Sequence, residues 1–199
     1  MAAPAAGDTR RRILEQTLVL IGEHGIGAVS NRRVARAAGV ALGSLTYHFP
    51  SQTQLLREAL LLYVGEEVGR LQAIARELRS AQLTEAQVAA EVQNISERSS
   101  GHSGHVAELE LHLHAWRDPE LREASARCFA AYEDLARAAL EALAVPDPRR
   151  HAGTVVALMY GLGLRRLGTG ERDGTGTADA LLTIVQGARA VGERQIEHV

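Results

Sequence analysis

The twelve residues Val34-Ala35-Arg36-Ala37-Ala38-Gly39-Val40-Ala41-Leu42-Gly43-Ser44-Leu45 constrain this chain more than any other stretch. They fit two short helices joined by a tight corner. Small Ala35 lets the helices cross closely, and Gly39 supplies the positive φ that ends the first. Val40 and Leu45 pin the second helix to the first. A corner of this kind projects its second helix into a DNA major groove.

The flanks extend the pattern. Upstream, Ile13, Leu14, Thr17, Leu18 and Ile21 recur at helical spacing within 9–24, with Asp8 or Thr9 as cap and Gly25 as stop. Downstream, Thr46-Tyr47-His48-Phe49-Pro50-Ser51 leads into a helix whose apolar face includes Leu55, Leu56 and Ala59, with Ser51 as N-cap. Three short helices are expected, followed by a longer fourth.

Charge is unevenly spread. Residues 1–57 hold seven arginines against three acids, net +4, while the remainder is net −6. A basic N-terminal third on an acidic body is the electrostatic footprint of a DNA-reading head. The chain holds no lysine and one cysteine, Cys128. A lone cysteine excludes an intramolecular disulfide and fits the cytoplasm. No apolar run is long enough for a membrane span.

The Arg-rich start before Ile13-Leu14, Gly25-Ile26, Ser30 to Val34-Ala35, Ala38-Gly39-Val40, Gly43-Ser44-Leu45, and Tyr47-His48-Phe49-Pro50-Ser51 before Leu55-Leu56 together resemble the TetR family of transcriptional regulators. The resemblance covers roughly residues 9–60. It implies an all-α fold: an N-terminal three-helix DNA-binding head with the helix-turn-helix, then a C-terminal helical bundle for ligand binding and dimerisation. The expected organisation is a disordered arm over 1–8, the head over 9–50 and the ligand-binding and dimerisation domain over 51–199.

Ser30 is expected to cap the second helix, which begins near Asn31; for the head, the resemblance implies that its first turn, with Asn31 and Arg32, lies at the major-groove edge, with Arg32 reading guanine. Arg10 and Arg11 are placed to track a phosphate strand. The helix over about 42–47 offers Leu42 to a thymine methyl, Gly43 for close backbone approach, and Ser44 and Thr46 as hydroxyls. Tyr47 and His48 resemble the family's phosphate-facing pair. Two positions depart from the family's habit: Thr46 stands where Tyr is common, and Gln52 where Lys is common. Both changes weaken non-specific attraction.

Beyond the head, helices are expected at 51–78, 84–100, 104–116, 118–144, 148–167 and 177–194, broken by Gly101 and Gly104, Asp118-Pro119, Pro146-Asp147-Pro148 and a Gly/Thr-rich loop over 168–176. That loop lacks a Gly-Lys-Ser/Thr ending, which argues against a phosphate-binding P-loop. The last two helices carry apolar stripes that include Gly161, Leu164, Ile184 and Val185. The resemblance implies that they pair with a second copy in a homodimer reading a palindromic operator.

The expected effector is a small, uncharged or weakly charged organic molecule bound among Tyr63, Leu109, His112, Leu113, Trp116, Phe129, Tyr132 and Met159, where polar-tipped aromatics and one histidine interrupt aliphatic spacing. The histidines at 102, 105, 112 and 114 raise a metal-sensing alternative, with Glu108 three residues after His105 and four before His112. A helical-bundle enzyme is the other alternative. Nothing in the sequence supports Ser-His-Asp or Cys-His catalysis, and no cofactor is expected.

Overall fold

The computed structural model describes residues 6–80, 84–88, 90–91, 94, 102–170 and 175–196. Every element labelled here is helical: α1 (Ala6–His24), a 3-10 turn (Ile26–Ala28), α2 (Asn31–Ala37), α3 (Leu42–His48), α4 (Gln52–Ser80), α5 (His102–Ala115), α6 (Pro119–Ala142), α7 (Pro148–Thr169) and α8 (Thr175–Ile196).

Two compact units result, residues 1–67 with 101–126 and residues 68–100 with 127–199. In the first, α1 packs along α5 and against α2 and α3. Ile13, Ile21, Val34, Leu45, Phe49 and Leu55 are fully enclosed. Each such aliphatic or aromatic side chain contributes about 1.5–3 kcal/mol. Thr17 sits among them without penalty, because its Oγ1 donates to the Ile13 carbonyl at 2.8 Å.

The α2–α3 corner is a complete Schellman motif. Val40 N–H donates to the Ala35 carbonyl at 2.9 Å and Gly39 N–H to the Arg36 carbonyl at 3.2 Å, with Gly39 at φ 62°. α2 starts at Asn31, as the position of Ser30 predicts, and Ser30 Oγ accepts from Arg33 N–H at 3.4 Å.

The second unit has an alanine-rich core in which Leu71, Leu78, Leu135, Leu140, Val155, Leu181 and Val185 supply the larger side chains. Arg79 grips Asp134 with two nitrogens, at 2.7 and 3.0 Å. That hydrogen bond, more than burial opposes it, holds the Asp134 carboxyl below the usual carboxylate range. α6 ends in a second Schellman corner: Val145 N–H reaches the Leu140 carbonyl at 3.0 Å and Ala144 N–H the Glu141 carbonyl at 3.0 Å. Here the left-handed position is an alanine, Ala144, at φ 50°.

Several boundaries differ from expectation. α1 begins at Ala6, so residues 6–8 of the expected arm are helical, and Asp8 lies in the first turn. Residues 1–5, most of the expected 84–100 helix and residues 171–174 of the Gly/Thr loop lie outside the described residues. The division between compact units does not fall at residue 50: α4 up to Glu67, and α5, belong with the head. The reason lies in α4, which places Leu55, Ala59 and Leu60 in the first core and Leu71, Ala75 and Leu78 in the second.

Candidate functional site

The corner fixes α3 by burying Leu45 completely, which leaves the opposite face outward. Leu42, Gly43, Thr46 and Tyr47 are exposed there, Tyr47 at 84%. A phenol projecting that far from a seven-residue helix contributes little to the packing of the described residues. His48 lies edge-on to it at 5.4 Å, and Phe49 is buried beneath. Phe49 is therefore core, as its apolar neighbours suggest.

Beside α3, the exposed side of α2 carries Arg32 and Arg36, one turn apart. Neither forms an ion pair or hydrogen bond among the described residues, so both guanidiniums are available to an incoming polyanion. Arg36 escapes the motif-based reading. The signal that finds it is its spacing of four from Arg32. Arg33 serves the fold instead, donating to the Ala28 carbonyl at 3.0 Å.

The other expected contacts are more occupied. Arg10 pairs with Glu58 and lies 5.3 Å from the Phe49 ring centre. Arg11 holds Glu15 at 2.7 Å and also Glu66, and the Glu15 hydrogen bond leads the causes that raise its pKa above the ordinary arginine value. DNA phosphates would compete with these carboxylates. Ser30 spends an acceptor lone pair on its cap and keeps its hydroxyl proton. Asn31 Oδ1 is enclosed without a hydrogen-bond partner. Ser44 is half-buried.

The two departures from the family's habit acquire structural reasons. Thr46 Oγ1 hydrogen-bonds back into its own helix, to the carbonyls of Leu42 (3.2 Å) and Gly43 (3.1 Å). Its proton is committed, leaving the oxygen as an acceptor. Gln52 Nε2 donates to the Val29 carbonyl at 2.8 Å, fastening the start of α4 to the strand of chain entering α2. A cation is exchanged for a neutral clasp.

Behind the head, Glu110 of α5 accepts from Ile26 N–H at 3.2 Å, and His114 lies 4.0 Å from the same carboxylate. Asp118 caps α6 through Glu120 N–H (3.0 Å) and Leu121 N–H (3.3 Å) while binding Arg57 Nε at 2.7 Å. Burial alone would raise the Asp118 carboxyl; these donors outweigh it and hold it below the usual range. A surface cleft of about 820 Å³ between α1 and α4 is lined by Arg10, Arg57, Glu58 and Glu120. Its charges are already matched, Arg10 with Glu58 and Arg57 with Asp118 and Glu120.

The eight expected effector residues divide between the units. In the first, Tyr63, Leu109 and His112 are half-buried, whereas Leu113 and Trp116 are exposed, Trp116 at 79%. Within their unit these last two line no enclosed space. In the second, Phe129, Tyr132 and Met159 pack on the core together with Tyr160, which the sequence reading missed. The Tyr160 ring lies 5.0 Å from Phe129 and 5.6 Å from Tyr132. Its signal was adjacency to Met159.

α5 also carries a buried polar group. His105 is 7% exposed and Glu108 2% exposed, 3.7 Å apart at their nearest nitrogen and oxygen. His112 Nδ1 lies 2.7 Å from Ser125 Oγ on α6. Burial, ahead of the opposing pull of Glu108, lowers the His112 pKa from its ordinary value. Among the described residues no three His, Cys, Asp or Glu side chains converge to hold a metal ion. The His102 side chain lies outside the described residues. Ser125 sits mid-helix, where the neighbouring backbone N–H groups are already bonded within the helix and do not form an oxyanion hole.

Comparison with known proteins agrees with this reading of the head. Residues 13–59 match the family model for bacterial regulatory proteins of the tetR family, and residues 83–188 match the tetracyclin repressor-like C-terminal domain. The transcriptional repressor KstR of Mycolicibacterium smegmatis is 40% identical over 73 residues, 37% of this chain and 34% of that protein. The match thus spans about a third of that curated relative's length. A solved structure of SCO7518 from Streptomyces coelicolor A3(2), described as a transcriptional regulator, is 33% identical with a TM-score of 0.63, covering 89% of this chain and 98% of that one. The multidrug binding protein EbrR complexed with ethidium is 28% identical with a TM-score of 0.65, over 89% and 98% of the two chains. EbrR has also been solved with imidazole and with proflavin. With both family models matched, the second over more than half its length, this chain belongs to the TetR family of transcriptional regulators, which are DNA-binding proteins and not enzymes.

Proposed function

We propose that the protein is a repressor that binds a palindromic operator as a homodimer and is released by a small organic effector. The observation that carries this is the outward face of Leu42, Gly43, Thr46 and Tyr47 beside two unpaired arginines, Arg32 and Arg36, all positioned by the Schellman corner at Gly39. A single head reads one short half-site, and a two-fold dimer doubles the address. Repression follows the KstR relatives, and effector response follows EbrR with its bound ligands. The protein acts where the DNA is, in the cytoplasm; no described helix is long and apolar enough to cross a membrane.

α5 supports the coupling. One side of it holds the turn before α2 through Glu110, and the side bearing His105, Glu108 and His112 meets α6 through Ser125. An effector bound beside α5 can move the head only by its differential affinity for two positions of the helix. A tenfold loss of operator affinity needs about 1.4 kcal/mol of such coupling.

The dimer face is assigned to the exposed edge of α7, where Ala157, Gly161, Leu164 and Gly168 follow at helical spacing, with Gly187 exposed on α8. Val185 is core at 1% exposure. Charging it would unfold the second unit before it tested an interface, so Leu164 is the informative position.

The test begins with DNA fragments selected from the source genome. The wild-type chain should bind one palindromic fragment with two protomers per site. Leu164→Arg should sediment as a monomer and lose that affinity, because an unpaired charge in an interface costs several kcal/mol. A monomeric wild-type protein, or a Leu164→Arg variant that still dimerises, overturns the assembly.

A further inference from the structure

We propose that Glu58 of α4 stands in for a DNA phosphate: it holds Arg10 of α1 in the unbound head and so lowers the head's affinity for DNA of any sequence. The inference rests on the reading that Arg10 meets the phosphate backbone. The compact unit that contains the helix-turn-helix is not basic. To the +4 of residues 1–57, residues 58–67 and residues 101–126 each add −3, which leaves the unit at −2. A head of negative net charge gains no long-range attraction to a polyanion. Its affinity then depends on which arginines are individually available.

Arg10 is held at both ends of the contact. Its Nη2 donates to Glu58 Oε2, and the other carboxylate oxygen, Oε1, accepts from Gln54 Nε2 at 3.0 Å. The Glu58 side chain is 21% exposed. The Arg10 guanidinium also lies 5.3 Å from the ring centre of buried Phe49, the residue that ends α3. The ion pair thus sits beside the helix that projects Tyr47. A carboxylate offers a guanidinium the same anionic oxygens that a phosphate does. Arg11 is different: its partners Glu15 and Glu66 are both well exposed, where an ion pair is worth little.

A phosphate that takes Arg10 must displace Glu58 and leave that carboxylate unpaired beside DNA. This cost is blind to sequence, because the phosphate backbone carries no sequence information. While Arg10 stays on Glu58 it neutralises no phosphate and releases no counterion. Arg32 and Arg36 on α2 face no such competitor among the described residues, so the carboxylate restrains phosphate attraction and leaves the α2 arginines untouched.

Binding of the full chain to a random-sequence DNA duplex is measured over a salt series for wild type, Glu58→Gln, Arg10→Gln and the double variant. Glu58→Gln is expected to tighten binding about threefold or more at low salt and to steepen the salt slope by about 0.9 per head. In the Arg10→Gln background the same substitution should gain clearly less, because only its net charge then acts. Glu58→Ala should repeat the gain and guards against a folding defect of one variant. If neither Glu58 variant tightens binding while Arg10→Gln weakens it, the proposal fails and Arg10 keeps its place on the phosphates. Equal gains with and without Arg10 also overturn it, since long-range charge then explains the effect. An Arg10→Gln variant that binds as tightly as wild type overturns both the proposal and the reading it rests on. Because the duplex has no operator, none of these outcomes depends on a palindrome or on an effector.

Discussion

The backbone N–H of Ile26 donates to the side chain of Glu110 at 3.2 Å, so the turn that precedes the helix-turn-helix is held by a carboxylate 84 residues further along the chain. Glu110→Ala should cost about 1 kcal/mol of stability and accelerate hydrogen exchange at the Ile26 amide. Glu110→Gln, which keeps an acceptor oxygen, should sit near wild type. An Ile26 amide that exchanges at the wild-type rate in Glu110→Ala would mean the contact does not hold the turn.

Arg32 and Arg36 share a face yet should behave differently on DNA. Arg32→Ala is expected to cost about 1–3 kcal/mol and relax preference at one base pair per half-site. Arg36→Ala should weaken all sequences alike and lower the salt slope by about 1 per head. Binding to a panel of single-base operator changes at several salt concentrations separates them. Equal, sequence-blind losses would remove Arg32 from base reading.

Thr46 donates its hydroxyl proton to its own helix, and Tyr47 stands clear of the surface. Thr46→Val should therefore leave operator affinity within about a factor of three, well under the ~1 kcal/mol typical of a hydrogen bond. Tyr47→Phe should weaken it measurably. A tenfold loss in Thr46→Val would show that the hydroxyl turns outward on DNA.

Gly39 and Ala144 occupy the same position in two Schellman corners, and only the first is a glycine. Ala144→Gly removes left-handed strain and should raise stability by up to about 1 kcal/mol. Gly39→Ala should lower it by a similar amount, although nothing crowds the added methyl. Denaturant midpoints decide both. A destabilised Ala144→Gly would show that chain entropy outweighs the strain.

His112 titrates below its ordinary value because it is buried. Just below that ordinary value, about 6.5, the unfolded chain takes up a proton that the folded chain refuses. Stability should therefore fall as pH is lowered from about 7 toward 5. His112→Gln should flatten that part of the profile relative to wild type. Parallel profiles would mean His112 stays accessible to protons.

The head was legible because its signals are local. Gly39 sits where a helix must stop, Ser30 where one must start, and Leu45 four residues from Ala41 on a helix too short to bury anything else. The body was less so. Apolar periodicity located α6, α7 and α8 within a few residues, but it could not say that Val185 faces its own core while Leu164 faces out. It also gave Trp116 and Leu113 an interior that their unit does not provide. Partners distant in sequence stayed invisible: Gln52 with Val29, Glu110 with Ile26, Arg57 with Asp118. Each is a polar pairing with no periodic trace in the sequence.

α5 turns roughly 140° between His105 and Glu110 at the 100° per residue of an α-helix, so its buried polar side and its grip on Ile26 lie on different faces of one helix. Selection, or a biosensor designer, can rewrite positions 105, 108 and 112 while Glu110 keeps its hold on Ile26. The buried polar side of the helix is free to drift while the turn ahead of the helix-turn-helix stays held.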